Sequence, residues 1–175
     1  MADTVQTILK RRSIRKYTDK KADTETIKTI LKCGMSGPSA VNARDWCFIV
    51  VEDKDRLKQW AGVCGRASQI VEGSAFSVLI CNDGQRAFAR APEYGIINAA
   101  IAGQNMILAA EDLGLGSVWL GIWPQQEKVN AQKEFFNLPD DVTPHSIIAF
   151  GYPDEDRSGV PHTDYEESQV HFNEW

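Results

Sequence analysis

Hydrophobic positions recur with a helical period at the start of the chain and then give way to short apolar runs separated by polar turns. In DTVQTILKRR, Val5, Ile8 and Leu9 share one helical face, and Asp3 or Thr4 can cap it. TETIKTILKCG places Ile27, Ile30 and Leu31 on one stripe and is expected to stop at Gly34. CFIVVE and FSVLICN are continuous apolar runs of strand length. Between them DKDRLKQWAGVCG predicts a helix with Leu57, Trp60 and Val63 inward. SVWLG and HSIIAFGY predict two further strands, joined by a surface helix over QQEKVNAQKEFF.

The longest periodic segment, IINAAIAGQNMILAAEDLG, is apolar nearly all round, with Ile97, Ile101 and Leu108 on one side and Ile96, Ala100 and Ile107 on another. A helix without a solvent face is buried on both sides, and in a small domain a second subunit is one way to achieve that. Gly114 ends it. The polar, acidic tail finishes with Val170, Phe172 and Trp175, apolar groups that need cover. Alternating helices and strands would by themselves suggest a parallel sheet. The tail, with no following helix, points instead to an arm over residues 153–175 that packs on another surface.

Composition narrows the picture. A chain of 175 residues with 43% apolar and 25% charged residues fits one soluble domain over 1–175. The net charge of −5 gives a general nucleic-acid role little support. No apolar run reaches the roughly 20 residues of a membrane helix. The first residues do not read as a secretory signal, so a cytoplasmic protein is expected. The four cysteines are widely spaced without C-x-x-C, which argues against a zinc site or a redox dithiol and for small buried thiols.

Three stretches carry candidate chemistry. KRRSIRKYTDKK crowds seven cations into an otherwise acidic chain. It reads as a solvated helix C-terminus, as a phosphate site built from arginine forks around Ser13, or as a nucleic-acid arm that lacks stacking aromatics. GPSAVNARDW gathers turn formers, a hydroxyl, an amide and an indole, groups that can hold a polar planar molecule. GLGSVWLG is no dinucleotide fingerprint, because the third glycine position is Trp119 and the motif leaves a helix for a strand. Gly121 is either a turn glycine or a place where something flat approaches the backbone. No G-x-S-x-G nucleophile, H-E-x-x-H metal motif or clustered carboxylate set occurs, and His145 reads as a packed or surface histidine.

Taken in order, RRSIRKY, GPSAVN with its following tryptophan, AAEDLGLGSVWLG, IIAFGYPDE and the ending VHFNEW resemble the nitroreductase family of flavin enzymes over nearly the whole chain. The resemblance implies an α+β fold with a central, mostly antiparallel sheet flanked by helices, and a homodimer with FMN at the subunit interface. It implies that Arg11, Arg12, Ser13 and Arg15 hold the phosphate and ribityl end. Pro38, Ser39, Ala40 and Asn42 would come from the other subunit to line the ring, with Leu120 and the Gly121 backbone near its N5 edge.

The implied activity is ping-pong hydride transfer from NAD(P)H, a transient reductant, to a small conjugated electron acceptor: a nitroaromatic, quinone or enone. No catalytic side chain is implied, since the flavin carries the chemistry. The alternative is a flavin-binding storage, sensing or regulatory protein. The chain departs from the family pattern at Arg44-Asp45, where Gln-Pro is common; Arg44 pairs with Asp45 or offers a further cation. It departs again in the tail, where Arg157 or His162 would stand in for a basic phosphate ligand. It is also short for the family and has no obvious lid insertion.

Overall fold

The computed structural model describes residues 4–155 and 165–175. Helix α1 spans Thr4–Lys10 and leads into an extended segment. Helix α2, Thr24–Met35, starts where the Asp23 carboxylate accepts the Thr26 N–H at 2.8 Å. A loop containing a 3-10 turn at Ala40–Asn42 precedes strand β1, Trp46–Val51. Helix α3, Lys54–Ala61, is capped by Asp53 in the same way, again at 2.8 Å. Helix α4 (Ser68–Gly73), strand β2 (Phe76–Asp83) and helix α5 (Tyr94–Asp112) follow. Strand β3 (Gly116–Gly121), helix α6 (Gln126–Phe136) and strand β4 (Val142–Gly151) complete the set that positions the site.

The four strands lie in the order β1-β2-β4-β3, each antiparallel to its neighbour. The parallel sheet that simple helix–strand alternation suggests does not form: β4 inserts between β2 and β3 and runs against both. Helices cover both faces. On one, Ile27 and Ile30 of α2 and Met106 and Ile107 of α5 pack on Val78, Ile80, Ile148 and Phe150. On the other, Leu57 and Trp60 of α3, Val71 of α4 and Val129 of α6 meet Leu79, Cys81 and Ile147. Residues 78–81 thus send alternate side chains into opposite layers, the period of two that a strand imposes. Trp60 closes its layer by donating its ring N–H to Gln132 Oε1 at 2.6 Å, so both buried polar groups are satisfied.

Two glycines have different tasks. Gly114 stands at φ +79 just past α5. The Leu115 N–H returns to the Ala110 carbonyl at 2.8 Å and the Gly114 N–H to Glu111, the paired bonds of a Schellman ending. Gly34, expected to stop α2, lies inside the helix, which ends at Ser36. A Cβ on Gly34 would meet Met106 Cε at 2.5 Å, so this glycine permits the close crossing of α2 on α5. Val63, expected inward, is 38% exposed because α3 has ended by then in a turn around Gly62.

Several apolar groups stay uncovered in the single chain. Val5, Ile8 and Leu9 of α1 face outward, whereas Thr7 is the buried residue of that helix. Ile97 on α5 is 53% exposed, so the helix does keep one open side. Val170, Phe172 and Trp175 are open too, Trp175 completely.

Candidate functional site

The first predicted stretch is fixed by backbone pairing. The Ile14 N–H donates to the Ser117 carbonyl at 3.0 Å, laying residue 13 alongside β3 at the sheet edge. Farther on, the Thr18 N–H reaches the Tyr152 carbonyl at 2.9 Å and the Asp154 N–H the Lys16 carbonyl at 3.0 Å. The Tyr17 hydroxyl donates to the Ile14 carbonyl at 2.6 Å. Burial pushes that phenol well up, Glu155 adds to the effect and Arg15 opposes it, so it stays a donor.

Two glycines make room for these contacts. A Cβ on Gly116 would sit 2.6 Å from the Ile14 side chain, and one on Gly151 would sit 2.7 Å from the Tyr17 ring. With Ile14 buried, Ser13 and Arg15 point to solvent by alternation, which presents their polar groups on one side. Arg12 donates to the Arg11 carbonyl at 2.6 Å and to the Leu9 carbonyl at 3.2 Å, folding its guanidinium back over the end of α1. The Arg15 N–H donates to Glu155 Oε1 at 2.6 Å. Among the described residues, neither Arg11 nor Arg15 forms an ion pair with a carboxylate.

The far end of β3 is open. A Cβ at Gly121 would meet nothing within 4 Å, so a flat group can approach this backbone directly. Leu120 and Gly121 line a groove of about 940 Å³ between the turn at residues 64–67 and the start of α6. Arg66 and Lys128 stand on its rim, and Lys128 Nζ points at the Gly121 carbonyl from 3.4 Å. His145 supports this end from the neighbouring strand: its carbonyl accepts the Trp123 N–H at 3.0 Å and the Ile122 N–H at 3.2 Å. Its ring stands edge-on to Trp119, 5.7 Å between centroids, and burial lowers its pKa, favouring the neutral imidazole.

The third stretch, residues 37–45, is held by side chains. Val41, Asn42 and Arg44 all have positive φ, at 48, 58 and 50°, a conformation that costs non-glycine residues energy and persists only where surroundings enforce it. The enforcement comes from below. Asp45 is fully buried, and its Oδ1 accepts the Asn98 amide N–H at 2.8 Å. That bond orients Asn98 so that its Oδ1 accepts the Ala40 N–H at 3.0 Å. Above, the Arg44 N–H donates to Ser39 Oγ at 3.0 Å and Arg44 Nε to Asn42 Oδ1 at 2.9 Å. Arg44 therefore does not pair with Asp45; the two side chains leave the backbone toward opposite sides of the loop, one exposed and one buried. Pro38, Ser39 and Ala40 line a mainly apolar cavity of about 430 Å³ with Phe88, Tyr94 and Ile97.

The ten predicted residues thus fall into three groups: Arg11, Arg12, Ser13 and Arg15 beside one end of β3, Leu120 and Gly121 at its other end, and residues 38–42 on the α5 side. Neither cavity is lined by residues 11–15, and the two share no lining residue. Arg157 and His162 lie outside the described residues. Asn98 and the buried Asp45 were missed as anchors, although an amide set among apolar residues in the first half of α5 is a visible signal for the first.

Comparison with known proteins adds the lineage. A model described as the nitroreductase family matches residues 8–76 and 64–152. A protein of Methanothermobacter thermautotrophicus named an NADH dehydrogenase/NAD(P)H nitroreductase is 35% identical over 99% of this chain and 88% of its own. A crystal structure under the same name from Parabacteroides distasonis superposes with a TM-score of 0.89 at 31% identity, covering all of both chains. An FMN-dependent nitroreductase from Clostridium difficile gives 0.86 at 30% identity, over 97% of this chain and 99% of the other. With the antiparallel sheet, the edge-bound arginine segment and the open glycine at the end of β3 in place, the chain belongs to the nitroreductase family.

Proposed function

We propose that this protein is an FMN-dependent NAD(P)H oxidoreductase that reduces small conjugated acceptors, namely nitroaromatics, quinones or enones. The observation that carries this reading is the geometry along β3. An exposed, cationic segment is bonded to its edge at Ser117, and four residues on, roughly 13 Å along a strand, Gly121 leaves empty space above its backbone. That separation suits a molecule with an anionic tail and a flat ring. The donor set fits FMN: guanidinium forks and a hydroxyl for the phosphate, a bare backbone for the ring.

Arg11, Arg12, Ser13 and Arg15 bind the phosphate and ribityl end, and phosphate oxygens compete with the carbonyls that Arg12 now serves. Leu120 and Gly121 support the ring edge without covering it. Pro38, Ser39, Ala40 and Asn42 reach the ring from a second copy of the chain, because in one protomer they lead into β1, at the opposite edge of the sheet from the β3 edge that holds Ser13. The exposed apolar faces of α1 and α5 and the bare tail aromatics support that homodimer, since surfaces of this kind mark association. Phe88 and Tyr94, beside Pro38 and Ser39, supply an aromatic wall suited to planar acceptors. Bound FMN would supply the redox step, a two-electron relay at ring N5 from reduced nicotinamide to an acceptor that takes its place on the same face. The protein needs no acid–base side chain for that relay and contributes orientation and cationic stabilisation.

Anaerobic reduction tests the reading. The purified dimer is expected to carry the visible bands of oxidised flavin, to bleach with NADH or NADPH, and to regain colour on addition of a nitroaromatic or a quinone. Bound flavin that neither nicotinamide bleaches would reject the enzyme in favour of a storage or sensing protein.

A further inference from the structure

Cys47 and Cys81 face each other across the first strand pair. They are direct partners in the β1–β2 register, so their side chains leave the same face of the sheet, toward the layer built on Trp60 and Leu57. Antiparallel partners stand roughly 4.5–5.5 Å apart at Cα, inside the span that a disulfide bridges. Both cysteines are reduced.

The partners are unequal. Cys47 lies on the edge strand and is half-buried, whereas Cys81 on central β2 is fully buried. The neighbouring Cys81 thiol favours ionisation of Cys47, and that same neighbour together with burial keeps the proton on Cys81. A more accessible thiol on an edge strand beside a fully buried one is the arrangement of an attacking and a resolving cysteine. The other two thiols are placed differently. Cys64 donates to the Trp60 carbonyl at 3.2 Å and burial pushes it up to about 12. Cys33 lies on α2, on the opposite side of the sheet.

We propose that Cys47 and Cys81 are a modification site at which hydrogen peroxide converts the reduced pair into a reversible cross-strand disulfide. The Cys47 thiolate attacks one peroxide oxygen, breaking the O–O bond, forming a sulfenic acid and releasing hydroxide. The Cys81 sulfur then attacks Cys47 sulfur. The S–S bond forms as the S–O bond breaks, and the departing hydroxide takes the Cys81 proton as water. In sum, two thiols and one peroxide give a disulfide and two waters, with two electrons passing from sulfur to oxygen. The bond ties the edge strand, and the Asp45 anchor that immediately precedes it, to the centre of the sheet. Such bonds in reducing compartments are transient, and a dithiol reductant reopens this one.

Thiol counting on the full chain tests the site independently of any flavin. Reduced protein is treated with stepwise hydrogen peroxide, alkylated, denatured and mapped without reduction. The four free thiols of the chain are expected to fall to two. A linked Cys47–Cys81 peptide lighter by two hydrogens should appear, and dithiothreitol should restore all four thiols. A Cys33→Ser/Cys64→Ser double variant, in which the pair is intact, should give the same link. Thiols that survive excess peroxide, Cys47 that goes to sulfinic acid without a link, or a link between other cysteines would each overturn the proposal.

Discussion

Segment 13–18 and loop 37–45 both present polar groups to the proposed ring and tail, yet they are held by opposite means. The first is an added strand fragment: main-chain bonds to Ser117 and Tyr152 fix it, and Ile14 anchors it in the core. Ser13 and Arg15 are then left exposed, where a ligand can reach them. The second makes no ladder. Three positive-φ residues are imposed by a relay that runs from a buried carboxylate through an amide to one backbone N–H. The first design tolerates side-chain changes; the second concentrates its stability in two buried residues.

The largest effect is therefore expected at Asn98. In Asn98→Leu the part-buried Ala40 N–H loses its acceptor and the fully buried Asp45 carboxylate its donor. Each polar group left without its partner costs about 1–3 kcal/mol, more for a charged one, and this change leaves two. Urea unfolding should show a loss of that size. Asp45→Asn, which retains an oxygen able to accept from Asn98, should lose far less. A loss in Asn98→Leu no larger than that of a surface substitution would mean that the relay does not hold the loop.

Next in size is Arg15→Ala in the other region. Its guanidinium is exposed, so folding stability should change by less than about 0.5 kcal/mol. FMN retention should weaken by about 1.5–3 kcal/mol, the scale of a charged hydrogen bond. Fluorescence titration of the apoprotein measures it, and unchanged retention in both Arg15→Ala and Arg12→Ala would remove the phosphate assignment. Gly116→Ala attacks the same segment from beneath. Its Cβ would press on Ile14 at 2.6 Å, and overpacking of this kind costs about 1–3 kcal/mol. Here stability and FMN retention should fall together, because residues 13–15 ride on Ile14. A stability loss with FMN binding intact would separate the segment from the site.

The same contrast explains what the sequence made legible. Strands with apolar runs, and helices with a stripe, follow from local periodicity, and all four core strands were found that way. The arginine segment was legible as chemistry because its cations crowd an acidic chain. Its seat on β3 was not, since one main-chain bond to Ser117 leaves no trace in residue type. Gly34 misled because a glycine near a helix end reads as a stop, whereas Met106, far away in sequence, is what requires it. Asp45 misled for a related reason: next to Arg44 it suggested a local ion pair, while a residue 53 positions along the chain claims it. Family resemblance supplied the antiparallel sheet, which alternation of elements alone would have drawn parallel.

The smallest effect lies at the open end of β3, where His145 offers a test by pH. Burial holds its pKa below the ordinary value of about 6.5, so acidification protonates the unfolded chain before the native one. Stability then falls as pH drops through the unfolded value and goes on falling until the lowered native value is reached. At higher pH both states are neutral and the residue contributes no slope. A single proton limits that slope to about 1.4 kcal/mol per pH unit. Urea midpoints at about pH 7.5 and about pH 5.5 should therefore differ more in the wild type than in His145→Gln, which cannot titrate in this range. If the imidazole serves only to fill space beside Trp119, the wild type still shows this extra difference, because titration follows burial alone. The discriminating observation is flavin binding at the lower pH. The His145 carbonyl carries Ile122 and Trp123, which continue the backbone from Gly121. Charging the ring should loosen that turn and weaken FMN retention in the wild type and not in the variant. Equal retention in the two would leave His145 a core residue with no part in shaping the open end of β3.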